Sequence, residues 1–101
     1  MSTQDRAVRL LITGRVQGIG FRAFVEYEAT RRSLRGWVRN RRDGAVEATI
    51  AGPAAAVEAV IDACRRGPPA ARVDFVDVRE EEQTALEKLL PGEDFSVLRT
   101  E

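Results

Sequence analysis

The feature that most constrains this chain is a change of hydrophobic period across a glycine-punctuated stretch, Gly14-Arg15-Val16-Gln17-Gly18-Ile19-Gly20. Before it, residues 6–14 read as a strand, with Val8, Leu10 and Ile12 alternating against Arg9, Leu11 and Thr13. After it, Phe21, Phe24, Val25 and Ala29 fall on one face of a helix expected from about Gly20 to Arg32. Glycine lets the backbone between the two curl so that successive N–H groups point into one concavity. The helix start adds its own unpaired N–H groups and the positive end of its dipole. Such a cup suits a phosphate. Arg22, one turn into the helix, has the planar fork of donors to close over the anion.

Downstream, Leu34 to Asn40 reads as a second strand with Trp37 as a large apolar anchor, and Asp43-Gly44 signals a tight hairpin. A third strand follows, with Val46, Ala48 and Ile50 alternating against Glu47 and Thr49. Pro53 opens a second helix whose buried stripe is Val57, Val60, Ile61 and Cys64, and Gly67-Pro68-Pro69 stops it. Residues 72–79 form a fourth strand in which Val73, Phe75, Val76 and Val78 break phase, the mark of a bulge. Glu80 to Leu90 has strong helix formers but no clear place in the pattern, and Phe95, Val97 and Leu98 suggest a short closing strand. The order β-α-β-β-α-β predicts an α+β ferredoxin-like sandwich: two helices on one face of an antiparallel sheet, with a short extra C-terminal strand.

With 101 residues, 1–101 is expected to be a single domain with a flexible N-terminus at 1–5. No apolar run reaches the length of a membrane span, the N-terminus is not that of a secretory signal, and Cys64 is a lone cysteine. These point to a cytoplasmic protein with no membrane partner. Residues 1–42 carry ten arginines against three acids, and residues 43–101 six bases against thirteen acids. Because both halves show apolar periodicity, they are expected to interleave in one fold rather than form a nucleic-acid arm. The chain has no histidine, so a Ser-His-Asp triad, a His-ligated metal and a phosphohistidine intermediate are excluded.

Gly18-Ile19-Gly20-Phe21-Arg22-Ala23 also fits the G-x-G-x-x-A dinucleotide fingerprint, but a hairpin follows instead of a second β-α-β unit. A Walker A loop needs a lysine, and none precedes Lys88. A cysteine phosphatase needs an arginine six residues after its cysteine, where this chain has Ala70. Gly14 to Arg22, by contrast, resembles the signature of the acylphosphatase family. A second motif, Gly36-Trp37-Val38-Arg39-Asn40 followed by Asp43-Gly44 and Val46-Glu47, resembles that family in the right order and spacing. The resemblance runs more loosely through Gly52, the second helix, Val73 and Phe95-Ser96-Val97. Ile19 stands where valine is common, and Arg32 and Ser33 replace an apolar residue and a glycine expected at the end of the first helix.

The resemblance implies hydrolysis of acyl phosphates, with Arg22 and Asn40 as the catalytic residues. Arg22 binds the phosphate, the backbone amides of Val16, Gln17, Gly18, Ile19, Gly20, Phe21 and Arg22 cradle it, and Asn40 positions the attacking water. The carboxylate leaving group departs unprotonated, so no general acid is needed, which fits the missing histidine. No metal and no cofactor is expected. The expected partners are a small acyl phosphate and, as product or inhibitor, inorganic phosphate, with no nucleic acid bound and the chain a monomer. The alternative is a non-catalytic ferredoxin-like anion- or RNA-binding module. Arg39, Arg41 and Arg42 read as a solvated hairpin more readily than as steering groups, Trp37 and Phe24 as core, and Cys64 as an inert small hydrophobe.

Overall fold

The structure is a computed structural model that describes residues 5–82, 86 and 92–101. The elements run β1 (Asp5–Arg15), α1 (Phe21–Thr30), β2 (Arg35–Asn40), β3 (Val46–Pro53), α2 (Ala54–Arg66), β4 (Arg72–Glu80) and β5 (Phe95–Val97). Asp5, grouped with the tail at the sequence level, is instead the first residue of β1 and pairs with Pro53. The sheet order is β4-β1-β3-β2-β5. The pairs β1–β4, β1–β3 and β2–β3 are antiparallel, while β5 adds to β2 in parallel, so the closing strand makes the sheet mixed. The expected segment Glu80 to Leu90 falls largely outside the described residues.

The alternation read in the sequence sets the layers. Val8, Leu10 and Ile12 of β1, Val38 of β2 and Val46, Ala48 and Ile50 of β3 join Phe21, Val25 and Ala29 of α1 and Val57, Val60, Ile61 and Cys64 of α2 in one core. Both helices thus cover the same face of the sheet. Burying each large side chain of this set contributes about 1.5–3 kcal/mol. The phase break in β4 is a bulge: Thr13 pairs with Phe75 and Gly14 with Val73, leaving Asp74 as the extra residue. It turns Val76 into the core and leaves Phe75 exposed on the far face.

That far face is not simply solvated. All six residues from Val46 to Ala51 are buried, Glu47 and Thr49 among them. Arg9 Nε and Arg39 Nε donate to the two carboxylate oxygens of Glu47 at 2.7 and 2.8 Å, one from each neighbouring strand. Trp37 is buried as expected, but on this outer face, under the Arg39 guanidinium 5.0 Å from its ring centroid.

Candidate active site

The strand registers bring the two sequence motifs to one end of the sheet. Ile12 pairs with Val46 and Val46 with Asn40, so the three lie in one line across β1, β3 and β2. Three residues beyond Ile12, β1 ends at Arg15 and the chain enters the loop that leads to α1. Asn40 shares the parity of Val38, a core residue, so strand alternation turns it toward the helix-covered face. The Asn40 carbonyl accepts from the Glu101 N–H at 3.1 Å, which holds this strand end from its outer side.

Within the loop, apolar and glycine positions divide the work. Val16 and Phe21 are buried and Ile19 packs against the core, while Gly18 and Gly20 are exposed. The two glycines have φ of 76° and 84°, and a Cβ on either would meet nothing within 4 Å. The requirement there is for a left-handed backbone, not for space. Gly20 is the N-cap of α1; it offers no side-chain cap, and the first helical turn has no acidic residue. The N–H groups and dipole of that turn are therefore left for an anion from outside. Arg22 is half-buried and makes no hydrogen bond or ion pair with a described residue.

The loop is bound to the hairpin by a side chain whose role the sequence did not disclose. Gln17 Nε2 donates to the carbonyls of Arg41 and Ala45 at 2.7 and 2.8 Å. The hairpin itself is closed by Arg41 N–H to the Ala45 carbonyl at 2.8 Å and Gly44 N–H to the Arg41 carbonyl at 3.1 Å. The Ala45 N–H, and then Arg41, hydrogen-bond the Asp43 carboxylate and lower its pKa. Arg39 is consequently not the solvated residue expected, since it holds Glu47; Arg41 stays partly exposed beside Asp43, its Nη1 3.7 Å from the Glu47 carboxylate. Only Arg42 of the three falls among the exposed residues.

Burial by itself would raise the Glu47 pKa, but the hydrogen bonds from Arg9 and Arg39 outweigh it and hold the carboxyl below its ordinary range. Cys64 is the reverse case. Burial, with a smaller contribution from the Glu28 charge, pushes its thiol up to about 12, as an inert core residue requires. Among the described residues no three of Asp, Glu and Cys converge as a metal-binding group.

The fold is a ferredoxin-like α+β sandwich with a glycine loop, an arginine unpaired among the described residues and an asparagine gathered at one end of its sheet. A family model described as Acylphosphatase matches residues 8–97. An acylphosphatase from Rhodopseudomonas palustris (strain BisB18) is 56% identical over 100 residues, 99% of this chain and 99% of that one. The crystal structure of acylphosphatase from Bacillus subtilis is 40% identical with a TM-score of 0.78, covering 91% of this chain and 97% of that one. An acylphosphatase structure from Coxiella burnetii is 28% identical with a TM-score of 0.81, covering 97% and 100%. The chain belongs to the acylphosphatase family, hydrolases that act on acid anhydrides of phosphorus-containing compounds.

Proposed function

We propose that this protein hydrolyses acyl phosphates by in-line attack of water, with Arg22 and the amides of residues 16–22 holding the phosphoryl group and Asn40 directing the water. The observation that carries the reading is a half-buried Arg22 without an anionic partner among the described residues, at a helix start that carries neither a side-chain cap nor an acid. The Asn40 strand end lies at the same end of the sheet. In the reaction the water oxygen bonds to phosphorus as the bond from phosphorus to the carboxylate oxygen breaks. The carboxylate leaves with that electron pair, and the water proton passes to a phosphate oxygen. Phosphoryl transfer of this kind calls for positioning and charge stabilisation. Arg22 and the loop amides supply the second, in preorganised form.

The protein acts on this reading as a cytoplasmic monomer with no metal, and inorganic phosphate competes for the cradle. The RNA-binding alternative is less well supported. Of the aromatic side chains on the open sheet face, Phe75 lies on edge strand β4 and Trp37 is buried under Arg39, so the central strands present no stacking platform among the described residues.

The test is benzoyl phosphate hydrolysis by the wild type, Arg22→Ala and Asn40→Ala, each with a chelator present. The wild type is expected to turn over undiminished by the chelator, and Arg22→Ala to lose at least about 10²–10³-fold. Arg22→Lys should not restore the loss, because the planar fork is gone. Asn40→Ala should lower kcat while leaving inhibition by phosphate nearly unchanged. A wild type with no turnover above background would overturn the reading; full turnover by Asn40→Ala would overturn the role of Asn40 alone.

A further inference from the structure

We propose that the Gln17 side chain is a positioning residue of this site, fixing the phosphate-binding loop at a set separation from the strand end that carries Asn40. The inference rests on the reading of Asn40 as the residue that directs the water.

The two halves of the site belong to different elements. The phosphate cradle follows β1, and Asn40 ends β2, with β3 lying between those strands. Val16, Ile19 and Phe21 anchor the loop by apolar packing, which has depth but little direction. In the run from Val16 to Phe21, Gln17 is the one residue with a polar side chain. Its amide reaches 24 and 28 residues along the chain to the Arg41 and Ala45 carbonyls. Both partners are acceptors, so the NH₂ end must face them, and both of its hydrogens are used.

What it grips is rigid. The Arg41 and Ala45 carbonyls already accept the bonds that close the hairpin, and each takes the Gln17 hydrogen on a second lone pair. Asn40 is the residue immediately before Arg41. A shift of the loop relative to the hairpin is therefore a shift of the held phosphorus relative to the water. Displacements of about 1 Å are enough to cost on the order of 10²-fold in rate. The backbone amide of Gln17 belongs to the cradle and survives any side-chain substitution, so the two contributions of this residue are separable.

The experiment is a double-mutant cycle on the full chain, with Gln17→Met, Asn40→Ala and the pair. Kcat and phosphate inhibition are measured per folded molecule, with urea unfolding of each variant as the control. Methionine keeps the length of the side chain and removes both donors. Gln17→Met is expected to lower kcat about 10–100-fold, to change the phosphate inhibition constant by far less, and to cost little more once Asn40 is alanine. That coupling is the signature of positioning, since a merely structural contact lowers the urea midpoint and leaves the two substitutions additive. If Gln17→Met costs the same on both backgrounds while Asn40→Ala alone is slow, the positioning role is wrong and the reading of Asn40 stands. If Asn40→Ala is itself fully active, that reading fails and the proposal falls with it. Should Gln17→Met not fold, Gln17→Asn, which keeps the amide on a stem one methylene shorter, enters the same cycle and is judged by the same coupling.

Discussion

At Ser33 the backbone sits at φ 58°, the one non-glycine position with positive φ among the described residues. It follows the end of α1, where the Leu34 N–H returns to the Ala29 carbonyl at 3.0 Å and the Arg32 N–H to the same oxygen at 3.1 Å. A helix that stops this way places its exit residue in the left-handed region, which favours glycine. The family resemblance leads one to expect a glycine there, and the chain keeps the conformation without it. Arg32 compensates in part, its Nη1 donating to the Glu28 carbonyl at 2.9 Å and to the Glu28 carboxylate at 2.6 Å. The left-handed backbone costs an ordinary residue about 1–2 kcal/mol, and glycine gives back part of that through its freer unfolded chain. Ser33→Gly should therefore stabilise the fold by about 0.5–1 kcal/mol. The check is the urea midpoint, which should rise with an unchanged slope. A midpoint that stays or falls would show that the Ser33 conformation carries no such strain.

Among the elements, β3 separates what the sequence tells from what it conceals. Its alternation of Val46, Ala48 and Ile50 against Glu47 and Thr49 picks out the residues of one face, and the first three do lie in the core. The glycine loop, the order of elements, the bulge of β4 and the end of α2 were equally legible, because each is encoded by neighbours in the chain, whereas α1 stops at Thr30, two residues short of the expected Arg32. The burial of Glu47 was not, since it depends on Arg9 and Arg39, which only the sheet order brings to it. The Gln17 bonds escaped for the same reason. Glu47 has a consequence for the strands it joins. Its pKa is lower in the folded protein than the unfolded value of about 4.3, so the unfolded chain binds its proton more readily. The stabilisation is fully present above that unfolded value and is lost as pH falls through the folded one. Glu47→Gln should thus be less stable than the wild type at pH 7, and the gap should narrow below about pH 4–5. Glu28, Asp43 and Glu80, also lowered by their partners, titrate in both proteins and cancel in the difference. Urea midpoints from pH 7 to pH 3 measure it; a gap constant across that range would rule out the carboxylate as its source.

On the scale of the whole molecule, the basic first half and acidic second half of the chain are woven together. Arg6 bonds Glu58 and Glu80, Arg9 and Arg39 bond Glu47, and Arg35 lies 4.0 Å from Asp94. Of the ten arginines up to residue 42, those left without an ion pair to a described residue are Arg15, Arg22 and Arg42. They stand at the end of β1, the start of α1 and the β2–β3 hairpin, all at the end of the sheet where the proposed cradle lies. The charge pattern weighed above as a nucleic-acid arm is thus mostly paired within the fold, and its remainder gathers positive charge at one end of the sheet. A small anion bound there only in the folded state must stabilise that state by linkage. Phosphate at 100 times its dissociation constant adds about 2.7 kcal/mol, which in a domain of this size raises Tm by roughly 10–20 °C. Arg22→Ala should abolish most of that rise, whereas Asn40→Ala, at the residue proposed to direct the water and not to hold the phosphate, should keep it. Thermal unfolding with increasing phosphate, against chloride at matched ionic strength, separates the cases. A Tm that rises equally in wild type and Arg22→Ala would place phosphate elsewhere on the surface, and the cradle would lose its arginine.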